Sequence, residues 1–214
     1  MRKKYVIFDF DGTLIDTNEL VLNSWQAVYE HYRGVPGDPD VIYATFGEPL
    51  WTSMEALFPE VDTEEAIRIY RKYQMESWEK EIRIFPGLRE LVEAIRASGR
   101  SASIVTSRMR ATTLQYLDVF GIRGMFDVII TADDTTIHKP NPEPVLIALK
   151  RLGADAADAI MLGDTRFDIG CANNAGVESV LVTWSFPVSP EEMARQGFTP
   201  CHVIDRPEEL LELI

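Results

Sequence analysis

Tyr5-Val6-Ile7-Phe8-Asp9-Phe10-Asp11-Gly12-Thr13 is the stretch from which the fold can be read. Residues 5–10 are aromatic and β-branched apart from one acid, as in a strand buried inside a sheet. Strand periodicity puts Asp9 and Asp11 on the same side, and Gly12 permits a sharp turn directly after them. Taken alone, such an Asp-x-Asp-Gly sequence is equally an ordinary solvated turn. Four further β-rich runs follow at 101–106, 127–131, 159–162 and 179–182. Helical patterns at 87–98, 110–120, 142–152 and 166–175 alternate with them, and Gly99, Gly121, Gly153 and Gly176 stand as C-terminal stops. This alternation predicts an α/β protein with a Rossmann-like, doubly wound parallel sheet.

One interval breaks the alternation. Residues 16–85 hold no convincing strand, and Val21, Trp25, Val28 and Tyr32 recur at helical spacing. A longer helix is predicted over 63–80, carrying Ile67, Tyr70 and Tyr73. The interval is too long for one crossover helix, so it reads as an α-helical cap domain inserted after the first strand. The core is then 1–15 with 86–214, the cap is 16–85, and the chain crosses between them at 12–16 and 84–87. The cap aromatics, Trp51 and Trp78 among them, are expected in its own core. The tail reads as a short helix at 190–196, an edge strand at 201–204 and a closing helix at 206–214.

The chain has 214 residues, with 34 acidic against 21 basic side chains, and the resulting net charge of −13 argues against nucleic-acid binding through a basic surface. Cys171 and Cys201 form neither a metal-binding pair nor a disulfide framework, which suits a reducing cytoplasm. The basic start is followed by an apolar run too short, and too soon interrupted by Asp9 and Asp11, to serve as a signal segment. No stretch approaches the roughly 18–20 apolar residues of a membrane span. The expectation is a soluble cytoplasmic protein without a nucleic-acid or membrane partner. No feature of the sequence encodes an oligomeric state.

In an open α/β sheet, ligands bind beyond the carboxyl ends of the strands, so the residues leaving each strand belong together. The first strand leaves through Asp9 and Asp11, and the second through Thr106 and Ser107. The fourth leaves through Gly163-Asp164-Thr165-Arg166-Phe167-Asp168. Between them lies His138-Lys139-Pro140-Asn141-Pro142-Glu143-Pro144, in which three prolines fix the backbone around one lysine. Singly, each has a plainer reading: Thr106 or Asp164 as a helix N-cap, Asp168 as a first-turn acid favoured by the helix dipole, Lys139 as a solvated side chain. Together they bring four carboxylates, a hydroxyl and a lysine to one sheet edge. Clustered carboxylates repel, so either their pKa values rise or a cation lies among them. An oxygen-only donor set points to Mg²⁺ rather than zinc, and Mg²⁺ commonly shares its shell with water and phosphate. A phosphoryl-transfer site is expected.

These motifs resemble those of the haloacid dehalogenase-superfamily phosphohydrolases with a helical cap: Asp9 to Thr13, Thr106 after a hydrophobic strand, Lys139 in its proline-rich loop, and Asp164 with Asp168. They occur in the family's order and span nearly the whole chain. The resemblance implies that Asp9 is the nucleophile, forming an aspartyl-phosphate. It implies that Asp11 is the acid that protonates the leaving group and then the base that activates water. Dehalogenases of the family lack an acid at that second position, so Asp11 favours phosphate chemistry. The implied Mg²⁺ ligands are Asp9, Asp164 and the backbone carbonyl of Asp11, with Asp168 binding directly or through water. Thr106 and the backbone NH groups of Phe10, Asp11 and Ser107 would hold phosphoryl oxygens, and Lys139 would neutralise nucleophile and phosphoryl group.

Residues 11–20, the Phe46-Gly47-Glu48-Pro49-Leu50 segment and the Lys139 loop further resemble the branch containing phosphoglycolate phosphatases and bacterial inorganic pyrophosphatases. Asp16-Thr17-Asn18-Glu19-Leu20 is similar to the pyrophosphatase group. The expected substrate is therefore a small anionic phosphorylated compound, inorganic pyrophosphate ahead of 2-phosphoglycolate. A phosphosugar mutase or a non-catalytic phospho-receiver is the remaining alternative. Asn18, Gly47 and Glu48 are candidates for selecting the leaving group, joined by Arg108 and Arg110. Arg108 could meet a second anionic group or simply be an exposed arginine at a helix start.

Overall fold

The computed structural model describes residues 3–185 and 189–214, which form two compact units, 1–15 with 84–214 and 16–83. In the first, β1 (Tyr5–Phe8) is the central strand. The chain crosses into the second unit through β2 (Ile15–Asp16) and returns through β3 (Arg83–Ile84), two short strands that pair with each other. Neither was expected, because two residues carry no periodicity.

The second unit is helical: α1 (Asn18–Arg33), α2 (Pro39–Tyr43), α3 (Leu50–Leu57) and α4 (Thr63–Glu81). Asp62 caps α4 by accepting a hydrogen bond from the Glu65 NH at 2.8 Å, relieving one orphan donor of the first turn. Its core is aromatic. The Phe58 ring lies 4.8 Å edge-on from Tyr29, stacks at 6.5 Å on Trp25, and has the Arg33 guanidinium 4.4 Å above it. Trp51, expected in this core, is exposed, since the buried positions of α3 are Ser53 and Met54.

The first unit continues through α5 (Leu88–Ala97), β4 (Ser101–Val105), α6 (Arg110–Val119), β5 (Val128–Ile130), α7 (Glu143–Leu152), β6 (Ala159–Gly163), α8 (Arg166–Asn174) and β7 (Glu178–Val182). It then adds α9 (Pro190–Arg195) and β8 (His202–Ile204). The closing segment, predicted as a helix over 206–214, is a 3₁₀ turn at Pro207–Glu212. The sheet order is β5-β4-β1-β6-β7-β8, all parallel. The chain builds outward from β1 in one direction and then in the other, so the expected doubly wound sheet is present and its switch point lies between β1 and β6.

The central strands are mostly apolar because both of their faces are covered, with Ser103 of β4 and Ser179 of β7 as buried exceptions. Ile7, Val105, Ile130 and Met161 pack under Val145, Ala148 and Leu149 of α7 and Cys171 and Ala172 of α8. Alternation turns Phe8 to the other face, where it meets the Phe126 ring edge-on at 6.3 Å. Truncating Ile7, which is wholly buried, to alanine should cost about 2–5 kcal/mol of unfolding free energy in urea denaturation. A loss under about 1 kcal/mol would contradict this account of the core.

Candidate active site

β1 stops at Phe8, two residues earlier than periodicity suggests, so Asp9 and Asp11 belong to a turn and point to different partners. The turn is closed by the Phe10 carbonyl, which accepts from the NH groups of Leu14 and Ile15 at 3.1 and 2.9 Å. Phe10 itself is buried. Gly12 takes φ +74°, and a Cβ there would lie 2.1 Å from Asp164 Oδ2, so only glycine lets the turn pass this close to the carboxylate. Thr13 Oγ1 donates to Asp164 Oδ1 at 3.3 Å.

The other ligand-bearing loops are pinned from below. The Lys139 loop is fixed to α8: Asn174 Nδ2 donates to the Pro140 carbonyl at 3.0 Å, and Cys171 Sγ lies 3.0 Å from the Asn141 carbonyl. The helix that follows Asp164 is capped by Thr165, not by Asp164, and Asp168 closes the capping box. Asp168 Oδ2 accepts from the Thr165 NH at 3.1 Å and its hydroxyl at 2.6 Å, while Oδ1 accepts from Lys139 Nζ at 2.7 Å. Lys139 Nζ also donates to Asp9 Oδ1 at 2.6 Å. Lys139, Asp9 and Asp168 are all buried, so the solvated-lysine and exposed-acid readings do not hold.

Asp9, Asp164 and Asp168 each bring a carboxylate oxygen within 4.8 Å of the others. Burial first, and then the charge of Asp168, push Asp9 up to about 7 against the pull of Lys139. Asp164 is driven well above the carboxylate range by burial and by Asp168 and Asp9. Burial alone would depress Lys139, but Asp168 and Asp9 outweigh it and keep the ammonium protonated. Three buried carboxylates facing one ammonium leave negative charge uncompensated, and the cluster has the donors and the charge to hold a metal ion.

Thr106 is buried at the end of β4 and is no helix cap, since Met109 occupies that position in α6; its Oγ1 accepts from the Arg108 NH at 3.1 Å. Ser107 follows it, half-buried. Arg108 is not an exposed helix-start residue. Its side chain is 8% exposed and grips Asp11 in a fork, Nε to Oδ2 at 2.9 Å and a terminal nitrogen to Oδ1 at 2.8 Å. Arg110 pairs instead with Asp134, which also takes Arg151 at 2.9 Å. Asn18, Gly47 and Glu48 lie in the helical unit, where the Glu48 carboxylate accepts from the Ser53 hydroxyl. The supporting roles of Thr13 and Thr165 were open to recognition within the motifs that contain them. Nothing in the sequence marks Trp184, whose Nε1 donates to the Thr13 carbonyl at 3.0 Å, or Tyr116, whose ring lies 4.8 Å under the Arg108 guanidinium.

A doubly wound sheet whose carboxyl edge gathers carboxylates, a lysine and a threonine is an α/β arrangement suited to phosphoryl chemistry. The chain belongs to the haloacid dehalogenase-like hydrolase family, whose model matches residues 6–182. It is 38% identical over 210 residues to pyrophosphatase PpaX of Halalkalibacterium halodurans, covering 98% of this chain and 95% of that protein. Among solved structures, a provisionally assigned haloacid dehalogenase-like hydrolase of Bacteroides fragilis superimposes with a TM-score of 0.89 at 27% identity, covering 98% of this chain and all of the other. A Lactobacillus plantarum protein provisionally named a phosphoglycolate phosphatase gives 0.84 at 27% identity, covering both chains fully. No helix among the described residues is long and apolar enough to cross a membrane.

The raised Asp9 pKa fixes a sign. Between the unfolded value near about 4 and the folded value of about 7, the native protein holds a proton that the unfolded chain has lost. Stability of the metal-free protein, measured against Asp9→Asn, should therefore fall as pH rises through that window. A constant difference between the two proteins would contradict the assigned shift.

Proposed function

We propose that this chain is an Mg²⁺-dependent phosphohydrolase that works through an aspartyl-phosphate on Asp9, with inorganic pyrophosphate as its substrate. The observation that carries the mechanism is the buried Lys139 bridging Asp9 and Asp168 beside Asp164. The likeness over nearly the full chain to a pyrophosphatase carries the substrate. Mg²⁺ would be held by Asp9, Asp164 and the Asp11 backbone carbonyl, with Asp168 binding directly or through water, and when bound it neutralises phosphoryl charge.

In this reading an Asp9 carboxylate oxygen bonds to phosphorus while the bond to the leaving phosphate breaks, and Asp11 gives that leaving oxygen its proton. Water then attacks the same phosphorus, Asp11 takes its proton, and Asp9 is released. Lys139 reduces the repulsion between the nucleophile and the anionic phosphoryl group. Thr106 and the NH groups of Phe10, Asp11 and Ser107 hold the equatorial oxygens as their charge redistributes. Asn18, Gly47 and Glu48 are our candidates in the helical insert for choosing the leaving group. A soluble cytoplasmic setting suits a chain with two free cysteines and no candidate membrane helix among the described residues.

Phosphoglycolate is the second substrate reading, supported by the full-length likeness to the Lactobacillus plantarum structure. Steady-state assays of both compounds with Mg²⁺ separate the two, and negligible turnover of pyrophosphate removes the first. The Asp9→Asn protein should fold normally and lose at least about 10⁴-fold in kcat, in line with removing a covalent nucleophile. Retained turnover would falsify the assignment of Asp9.

A further inference from the structure

The buried guanidinium of Arg108, beside the site, is taken up by a carboxylate of the chain itself, Asp11. We propose that Arg108 is a positioning residue for Asp11, holding the carboxylate in place for proton transfer, a role that rests on the reading of Asp11 as the general acid and base. Asp11 sits on a turn beyond the end of β1, and its side chain is 31% exposed. A short acid so placed can turn away from the reacting oxygen unless something fixes it, and a displacement of about 1 Å already costs rate. The Arg108 fork supplies two parallel N–H···O contacts, which set both the direction and the plane of the carboxylate.

The fork is itself held from three sides. The Arg108 NH donates to Thr106 Oγ1 at 3.1 Å, its carbonyl accepts from the Ala132 NH at 3.0 Å, and the guanidinium lies over the Tyr116 ring. Tyr116 lies in turn against Phe10, its ring centroid 6.4 Å away, in the same turn as Asp11. Arg108 thus ties the loop after β4 to the loop after β1 through the one carboxylate that must move a proton. It acts through Asp11 and needs no contact with the phosphoryl group.

The test uses two probe esters with Mg²⁺. p-Nitrophenyl phosphate expels a stable anion and needs little acid assistance, whereas phenyl phosphate depends on it more. Arg108→Met should lower kcat/KM, which reports transfer of the phosphoryl group to Asp9, by roughly 100-fold for phenyl phosphate, within the usual range of general acid–base catalysis, and by no more than about three-fold for p-nitrophenyl phosphate. kcat should fall for both esters, because both share the Asp11-assisted hydrolysis of the aspartyl-phosphate, and far-UV circular dichroism reports folding. Arg108→Lys keeps the charge but loses the fork and should not restore kcat. In an Asp11→Asn background, Arg108→Met should have no further effect. Independently of turnover, the Arg108 guanidinium NH resonances of the metal-free protein should show restricted rotation that Asp11→Asn abolishes. Equal losses of kcat/KM on both esters, full rescue by lysine, an unchanged kcat for both esters or an additive double mutant would each overturn the proposal. If Asp11→Asn itself shows no preference for the better leaving group, it is the underlying acid–base reading that fails.

Discussion

The structure of this site depends on burying three carboxylates around one ammonium. Asp9, Asp164 and Asp168 sit within 4.8 Å of one another, with Lys139 bridging the first and the third. Desolvating charge costs several kcal/mol per ion, and because a single ammonium cannot offset three anions, Asp9 and Asp164 have raised pKa values. The cluster persists because the fold fixes each member separately. Asp168 is locked by its own capping box, Lys139 by a loop fastened to α8, and Asp164 by the close passage of Gly12 and the Thr13 hydroxyl. The folded chain thereby holds on Asp9 and Asp164 protons that a bound cation would displace.

The sheet explains why these residues meet. β1 and β6 flank the switch point, and the loops leaving β1, β4 and β6 open on the same carboxyl edge. None of Asp9, Thr106, Lys139, Asp164 and Asp168 interrupts the sheet core, because each lies beyond the end of a strand. Stability and chemistry are therefore separable: Ile7 and Met161 serve the packing beneath α7 and α8, and Asp9 and Asp164 serve the edge above.

The alternating pattern of strands and helices was legible because burial on both faces requires apolar runs, and helices between parallel strands require their own period. The convergence of Asp9, Lys139, Asp164 and Asp168 was legible too, since topology places strand exits together whatever the rotamers. Other features depend on tertiary detail. The two-residue strands at the crossings carry no pattern, and the last segment has too few residues to separate an α-helix from a 3₁₀ turn. Trp51 reads as core by type but falls on the outward side of a short helix. The contact of Arg108 with Asp11, which overturns the exposed-arginine reading, was not legible because the two residues are far apart in sequence and meet only across two adjacent strand exits.

Calorimetric titration of the metal-free protein with Mg²⁺, repeated near pH 6 in buffers of different ionisation enthalpy, tests the central claim most directly. The account predicts one ion per chain, with protons released on binding because Asp9 and Asp164 give up raised pKa values, and loss of that binding in Asp164→Asn. Binding without proton release, or binding that survives Asp164→Asn unchanged, would contradict it.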